Sequence, residues 1–132
     1  MADARLTASM EDYVEAIFRV QQEKESVRPK DIASRLDVTR ASVTGALQTL
    51  TREGLVAHKP YDAVTLTKRG ETAARDVVRR HEALNEFFVK VLGVNDEEAG
   101  RAACAMEHGV PRKIVDRLVR FVRRAKRTGK EV

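Results

Sequence analysis

Over residues 9–24 the apolar side chains Tyr13, Val14, Ile17, Phe18 and Val20 recur three and four apart, with Glu11, Asp12, Glu15 and Arg19 between them. Side chains at that spacing share one helical face, so the pattern predicts an amphipathic first helix with a charged outer side. Pro29, favoured in a first turn, opens a second, short helix with Ile32 and Leu36 on its buried face; it ends at Asp37 and Val38. Thr39 is placed to cap a third helix, where Val43, Ala46, Leu47 and Leu50 follow the i, i+3, i+4, i+7 spacing and Gly54 ends it. The period then changes. Residues 55–58 and 63–67 read as strands around the turn 59–62. Beyond Gly70 the helical period returns, with Ala74, Val77, His81, Leu84 and Phe88 in one stripe that runs to Val91 and stops at Gly93. Asn95 with Glu98 three residues later resembles a capping box and opens a further helix, closed by Gly109 and Pro111. A last helix carries Ile114, Val115, Leu118, Val119, Phe121 and Val122.

Two short helices joined by a tight turn and followed by a β-hairpin describe a winged helix-turn-helix. The expected fold is therefore mostly α: a winged helix-turn-helix over residues 1–70, then an all-helical domain over 71–132 that shares one long helix with it. The third helix leaves Arg40, Ser42, Thr44 and Gln48 on its polar side, with Thr39 at its start. This set suits the major groove of double-stranded DNA. Arg40 can pair with guanine or phosphate, Ser42 and Thr44 reach phosphates or base edges, and Gln48 can read adenine. Lys59 in the presumed wing, with Arg52, Lys68 and Arg69, would lie near the DNA backbone. Winged helices also serve protein contacts, so this pattern alone does not fix the partner.

Composition narrows the classes. The chain has 132 residues, 42% hydrophobic and 34% charged, with no Trp, which suits helices packed on Leu, Val, Ile and Ala and excludes a large multi-domain enzyme. The formal charge of +5 favours a polyanionic partner. Much of that excess is C-terminal, in Arg120, Arg123, Arg124, Lys126, Arg127 and Lys130, a run that is equally a solvated helix end set against the helix dipole. No apolar stretch approaches the roughly 20 residues of a membrane span, and the N-terminus lacks the apolar core of a secretion signal. Cys104 is the only cysteine, comfortable in a reducing compartment. The expectation is a cytoplasmic protein with no membrane partner.

The candidate chemistry lies in three places. The first helix offers Asp12 and Glu15, the long helix His81, and the next helix Cys104, Glu107 and His108 at i, i+3 and i+4, which brings a thiolate, a carboxylate and an imidazole to one face. Mixed N, O and S donors suit Mn²⁺, Fe²⁺, Co²⁺, Ni²⁺ or Zn²⁺ better than Ca²⁺ or Mg²⁺. Taken singly, Asp12 and Glu15 are an ordinary solvated helix face, His81 a hydrogen-bonded core residue, and Cys104 a small buried hydrophobe. The Cys104, Glu107 and His108 cluster is the least easily explained without a metal. His58 reads as a surface residue.

At Ser9-Met10-Glu11-Asp12-Tyr13-Val14-Glu15, Ser42-Val43-Thr44, Leu66-Thr67 with Gly70, Arg80-His81-Glu82 and Glu107-His108 the chain resembles the diphtheria toxin repressor family of metal-dependent regulators, in particular its short manganese transport regulator branch. The resemblance covers nearly the whole chain. It implies a homodimer formed through the C-terminal helices, which binds an inverted-repeat operator and represses metal-uptake genes when metal is plentiful. It also implies that Asp12, Glu15, His81, Glu107 and His108 are ligands of the manganese branch. That branch places a carboxylate where this chain has Cys104, a feature that resembles the iron-responsive branch, whereas the iron branch places a methionine at Asp12. A hybrid site is expected, lacking a bridging carboxylate and the iron branch's ancillary site, since Asn85 and Gly100 replace ligands there. No C-terminal β-barrel domain is expected. The metal is Fe²⁺ or Mn²⁺, with Cys104 softening the site towards Fe²⁺.

The resulting expectation is a repressor in which metal ties the first helix to the dimerisation half and fixes the spacing of two recognition helices, so that no catalysis is involved. Three alternatives remain open on sequence: a metal-independent winged-helix regulator answering to a small molecule or oxidant through Cys104, a small metalloenzyme using an open coordination position, and an architectural DNA-binding protein without a switch. Against the enzyme stand the lack of a Gly-rich phosphate loop and of a nucleophile motif.

Overall fold

In the computed structural model, which describes residues 6–58 and 63–127, six helices and one hairpin follow in the order α1 (Ala8–Glu23), α2 (Pro29–Leu36), α3 (Arg40–Arg52), β1 (Val56–His58), β2 (Val64–Leu66), α4 (Lys68–Lys90), α5 (Asp96–Gly109) and α6 (Arg112–Arg127). The chain divides into two compact units, residues 1–77 and 78–132, with α4 running through the boundary.

Each helix start in the first unit has a local chemical cause. The Thr7 hydroxyl accepts from Met10 N–H at 3.1 Å and opens α1. At α2 the Asp31 carboxylate accepts from Arg28 N–H at 2.9 Å, with Pro29 in the first turn. Thr39 accepts from Ser42 N–H at 3.0 Å, as its position before the third helix predicts. The α2–α3 turn is made by Asp37, whose left-handed backbone (φ 56, ψ 51) ends α2. Such a conformation is uncommon outside glycine, and Asp is among the residues that tolerate it.

The hairpin is antiparallel, with Val56 opposite Leu66, Ala57 opposite Thr65 and His58 opposite Val64. It is shorter than the alternation suggests, because Leu55 and Thr67 leave the ladder; Thr67 N–H donates to Leu55 O at 3.0 Å. Val64 N–H donates to Val27 O at 2.8 Å, which ties the hairpin to the segment after α1. Val14, Ile17, Ile32, Val43, Leu50, Leu55 and Val64 are fully buried and form the core of this unit. Phe18 is only partly buried there, and the Arg75 guanidinium lies 5.2 Å from its ring centroid.

The long helix begins at Lys68 rather than after Gly70. Thr67 explains the difference: its hydroxyl accepts from Gly70 N–H at 3.0 Å and caps the first turn, so Gly70 lies inside the helix. Gly70 is buried, and a Cβ there would fall on the carbonyl oxygen of Leu55. The close approach of two backbones demands a glycine.

In the second unit Asn95 accepts from Glu98 N–H at 2.8 Å and opens α5. Ala83, Leu84, Ala103, Val115, Val119 and Val122 make a smaller core, with Phe87, Phe88 and Met106 packed on it. Of the apolar residues read in the last helix, Val115, Val119 and Val122 face this core, whereas Ile114 and Phe121 remain exposed. No described helix is long and apolar enough to cross a membrane.

Candidate DNA-binding face and metal centre

On α3 the predicted residues Arg40, Ser42, Thr44 and Gln48 are all exposed. They do not share one surface. Thr44 and Gln48 continue into Thr51 and Arg52, and with Pro29 and His58 they line a groove of about 490 Å³ between the helix and the hairpin. Ser42 lines a second groove of about 570 Å³, with Asp12, Tyr13 and Thr49. Thr39 and Ser42 are committed to each other, since the Thr39 hydroxyl also donates to Ser42 Oγ at 3.0 Å; their first duty is to start the helix. Thr44 Oγ1 donates to Arg40 O at 3.0 Å. Lys59 lies outside the described residues. His58, read from the sequence as a plain surface residue, stands at the end of β1 on the Gln48 groove. Its signal was available: an aromatic donor one residue before the wing turn.

The metal-ligand candidates fall in both units. Asp12 and Glu15 are on α1; Asp12 borders the Ser42 groove, and Glu15 Oε2 is 3.2 Å from Arg19. In the second unit α4 carries His81, and α5 carries Cys104, Glu107 and His108. Glu107 is the centre of this group. Its Oε1 is 3.5 Å from His81 Nδ1 and its Oε2 is 3.3 Å from Arg80 Nε. Cys104 and His108 are exposed on the same helix. Among the described residues no three His, Cys, Asp or Glu side chains converge closely enough to hold a metal ion.

Arg80 was not a candidate on sequence grounds, yet its side chain is 5% exposed and its partner Glu107 13%. Its spacing carried a signal, for it lies three residues after Val77 and four before Leu84, on the inward face of α4. A buried guanidinium requires a carboxylate, and Glu107 supplies it. The pairing is incomplete: Oε2 of Glu107 is buried and receives no hydrogen bond of good geometry, although the guanidinium stands at ion-pair distance. Arg80 offsets the charge of that oxygen, but a buried acceptor without a hydrogen bond remains costly until a donor or metal ion meets its lone pairs. With imidazole, thiol and a second imidazole on adjoining turns, the donor set fits a borderline transition metal.

A helix-turn-helix with a hairpin wing is the architecture of a DNA-binding regulator. Residues 5–64 match the iron-dependent repressor N-terminal DNA-binding domain, and residues 67–130 match the iron-dependent repressor metal-binding and dimerisation domain. An HTH-type transcriptional regulator of Methanocaldococcus jannaschii is 30% identical over 122 residues, 92% of this chain and 98% of that protein. The HTH-type transcriptional regulator MntR of Lysinibacillus sphaericus is 35% identical over 116 residues, 88% of this chain and 83% of that protein. A manganese-dependent transcriptional repressor solved in complex with manganese superposes with a TM-score of 0.74 at 32% identity, over 86% of this chain and 52% of that one. The chain thus spans about half the length of that repressor. It belongs to the iron-dependent repressor family of metal-dependent transcriptional regulators.

Proposed function

We propose that this chain is a homodimeric, cytoplasmic repressor that binds inverted-repeat operators of metal-homeostasis genes when Fe²⁺ or Mn²⁺ is bound, and that it is not an enzyme. The observation that carries the reading is the buried Glu107 carboxylate oxygen without a hydrogen bond, on the helix matched by the family's metal-binding domain. The proposed ligands are Asp12, Glu15, His81, Cys104, Glu107 and His108. When bound, the metal supplies a divalent charge at these donors, which favours one DNA-competent arrangement of the dimer.

The chain's own residues then divide the work. Arg80 neutralises and orients Glu107. His81 and Glu107 hold α4 and α5 together at one level. Ile114 and Phe121, each more than half exposed, support a second copy as the partner of the helical unit. Arg40, Thr44 and Gln48 would read base edges and Ser42 and Lys59 phosphates, with Thr39 fixing the helix start. Two recognition helices must lie about 34 Å apart to enter successive major grooves, so a dimer with variable spacing binds poorly.

The test is a fluorescence-anisotropy titration of chelator-stripped protein on duplex DNA from upstream of its own gene, with Mn²⁺, anaerobic Fe²⁺ or EDTA. Metal is expected to raise affinity about 5- to 150-fold, the usual range of an allosteric coupling. Asp12→Ala and His108→Ala should each abolish that increase. Equal affinity in EDTA, or variants that keep full metal dependence, would reject the proposal.

A further inference from the structure

The charge of this protein is segregated. Thirteen of its 25 Lys and Arg, against eight of its 20 Asp and Glu, follow Val77, so the whole formal excess of +5 lies in the second unit and the winged-helix unit is formally neutral. Within the second unit the excess is concentrated in α6, where Asp116 is the sole carboxylate. On other helices several cations have a carboxylate one turn away: Arg19 with Glu15, Arg75 with Glu71, Lys90 with Glu86, Arg101 with Glu97. On α6 the sole carboxylate, Asp116, is 3.4 Å from Arg112 Nε. Lys113, Arg117, Arg120 and Arg124 are exposed and have no ion pair among the described residues.

Their spacing of four, three and four places these cations in one stripe along α6, opposite Val115, Val119 and Val122 on the core side. Like charges at i, i+3 and i+4 weaken a helix. A cationic stripe that costs its own helix stability and faces away from the core is explained by an external polyanion. The stripe extends about 16 Å along the helix axis, and duplex DNA presents one phosphate about every 1.7 Å of its axis, so a run of phosphates can meet all four.

We infer that the outer stripe of α6 is a second DNA contact, a sequence-independent phosphate clamp in the metal-binding half of the chain. It rests on the DNA-binding reading above and adds a division of labour to it. The neutral winged-helix unit selects sequence, and α6 supplies the counterion release that gives affinity and its salt dependence.

The test uses the full chain with Mn²⁺, titrated by anisotropy on its upstream duplex and on a scrambled duplex across a salt series. The variant Lys113→Gln/Arg117→Gln/Arg120→Gln/Arg124→Gln is compared with wild type, after far-UV circular dichroism has verified its helix content. The slope of log affinity against log salt should become shallower by about 0.9 per lost phosphate contact, hence by roughly 2 to 4 on both duplexes, while the preference between them is kept. Arg117→Lys/Arg120→Lys/Arg124→Lys should retain the wild-type slope. If the quadruple variant does not fold, Lys113→Gln/Arg120→Gln serves instead, with an expected change of about 1.8. An unchanged slope overturns the inference. So does loss of binding to phosphatidylserine vesicles with the DNA slope intact, which would assign the stripe to a lipid surface. Gln48→Ala distinguishes the two proposals: it should reduce the preference for the upstream duplex and leave the slope nearly unchanged.

Discussion

The two units bury their apolar side chains to very different degrees. In the winged-helix unit Val14, Ile17, Ile32, Val43, Leu50 and Leu55 are all sealed from solvent, and the only large apolar side chain left exposed among its described residues is Val38. In the helical unit the core is built on Ala83, Leu84, Ala103 and three valines, and Leu92, Ile114 and Phe121 each keep more than half of their surface in water. The first unit is closed around its own core. The second is incomplete as a single copy, which is the condition expected of a dimerisation element.

The sharpest way to break the first half of this comparison is at Gly70. Two backbones touch there, and the contact between α4 and Leu55 leaves no space for a side chain. Gly70→Ala should destabilise the winged-helix unit by ~3 kcal/mol or more, because neither backbone can retreat without opening the buried Leu55. Urea unfolding would show it directly. A loss below about 1 kcal/mol would mean that the hairpin and α4 are looser than their packing indicates.

The second half of the comparison is tested on α6. Ile114→Ser/Phe121→Ser removes apolar surface that a lone chain already exposes, so unfolding of the monomer should change by less than ~1 kcal/mol, the usual range for surface substitutions. Covering both residues against a partner contributes about 1 kcal/mol each, because nearly half of their surface is already covered within the chain, so losing them from both copies should raise the dimer dissociation constant by roughly a hundredfold or more. Sedimentation velocity and urea unfolding measure the two quantities separately. A monomeric wild type, or a variant that unfolds easily yet dimerises normally, would reverse the assignment.

How much of this was legible in the sequence depends on the range of the interaction. Local chemistry was read well: Thr39 and Asn95 cap the helices they were expected to cap, and the switch from a period near 3.6 to 2 and back located the hairpin. The start of α4 was misplaced because Gly70 reads as a helix breaker, and only its place in the capped first turn shows that it is required there. Periodicity could not tell Val115 from Ile114. Apolar residues cover nearly half of α6's circumference, and which of them are intramolecular depends on where α4 and α5 pack. The same holds for the candidate ligands of the second unit. The Cys104, Glu107, His108 spacing announced a shared face, but the Arg80 that holds Glu107 is an arginine among many until α5 is laid against α4.

The smallest effect concerns the surface of the winged-helix unit, at one well-made ion pair. Lys24 Nζ donates to Asp31 Oδ1 at 2.8 Å, and Arg28 N–H donates to Oδ2. The Lys24 hydrogen bond first, then that of Arg28, holds the Asp31 carboxyl below its ordinary pKa. A group whose folded pKa is depressed stabilises the fold above its unfolded pKa, about 3.9, and loses that contribution as the pH falls through the folded value. Lys24 is half-exposed, so solvent limits the gain to ~0.5–1 kcal/mol. Asp31→Asn keeps an acceptor for Arg28 N–H and removes only the charge, which makes it the cleaner variant. At pH 7 it should be less stable than wild type by that amount in urea unfolding, and the two curves should converge as the pH falls below 3.9, where both side chains become neutral. A difference that survived at low pH would show the effect to be one of shape at the start of α2, not of charge, and the stability of the first unit would then rest on its buried core and helix caps alone.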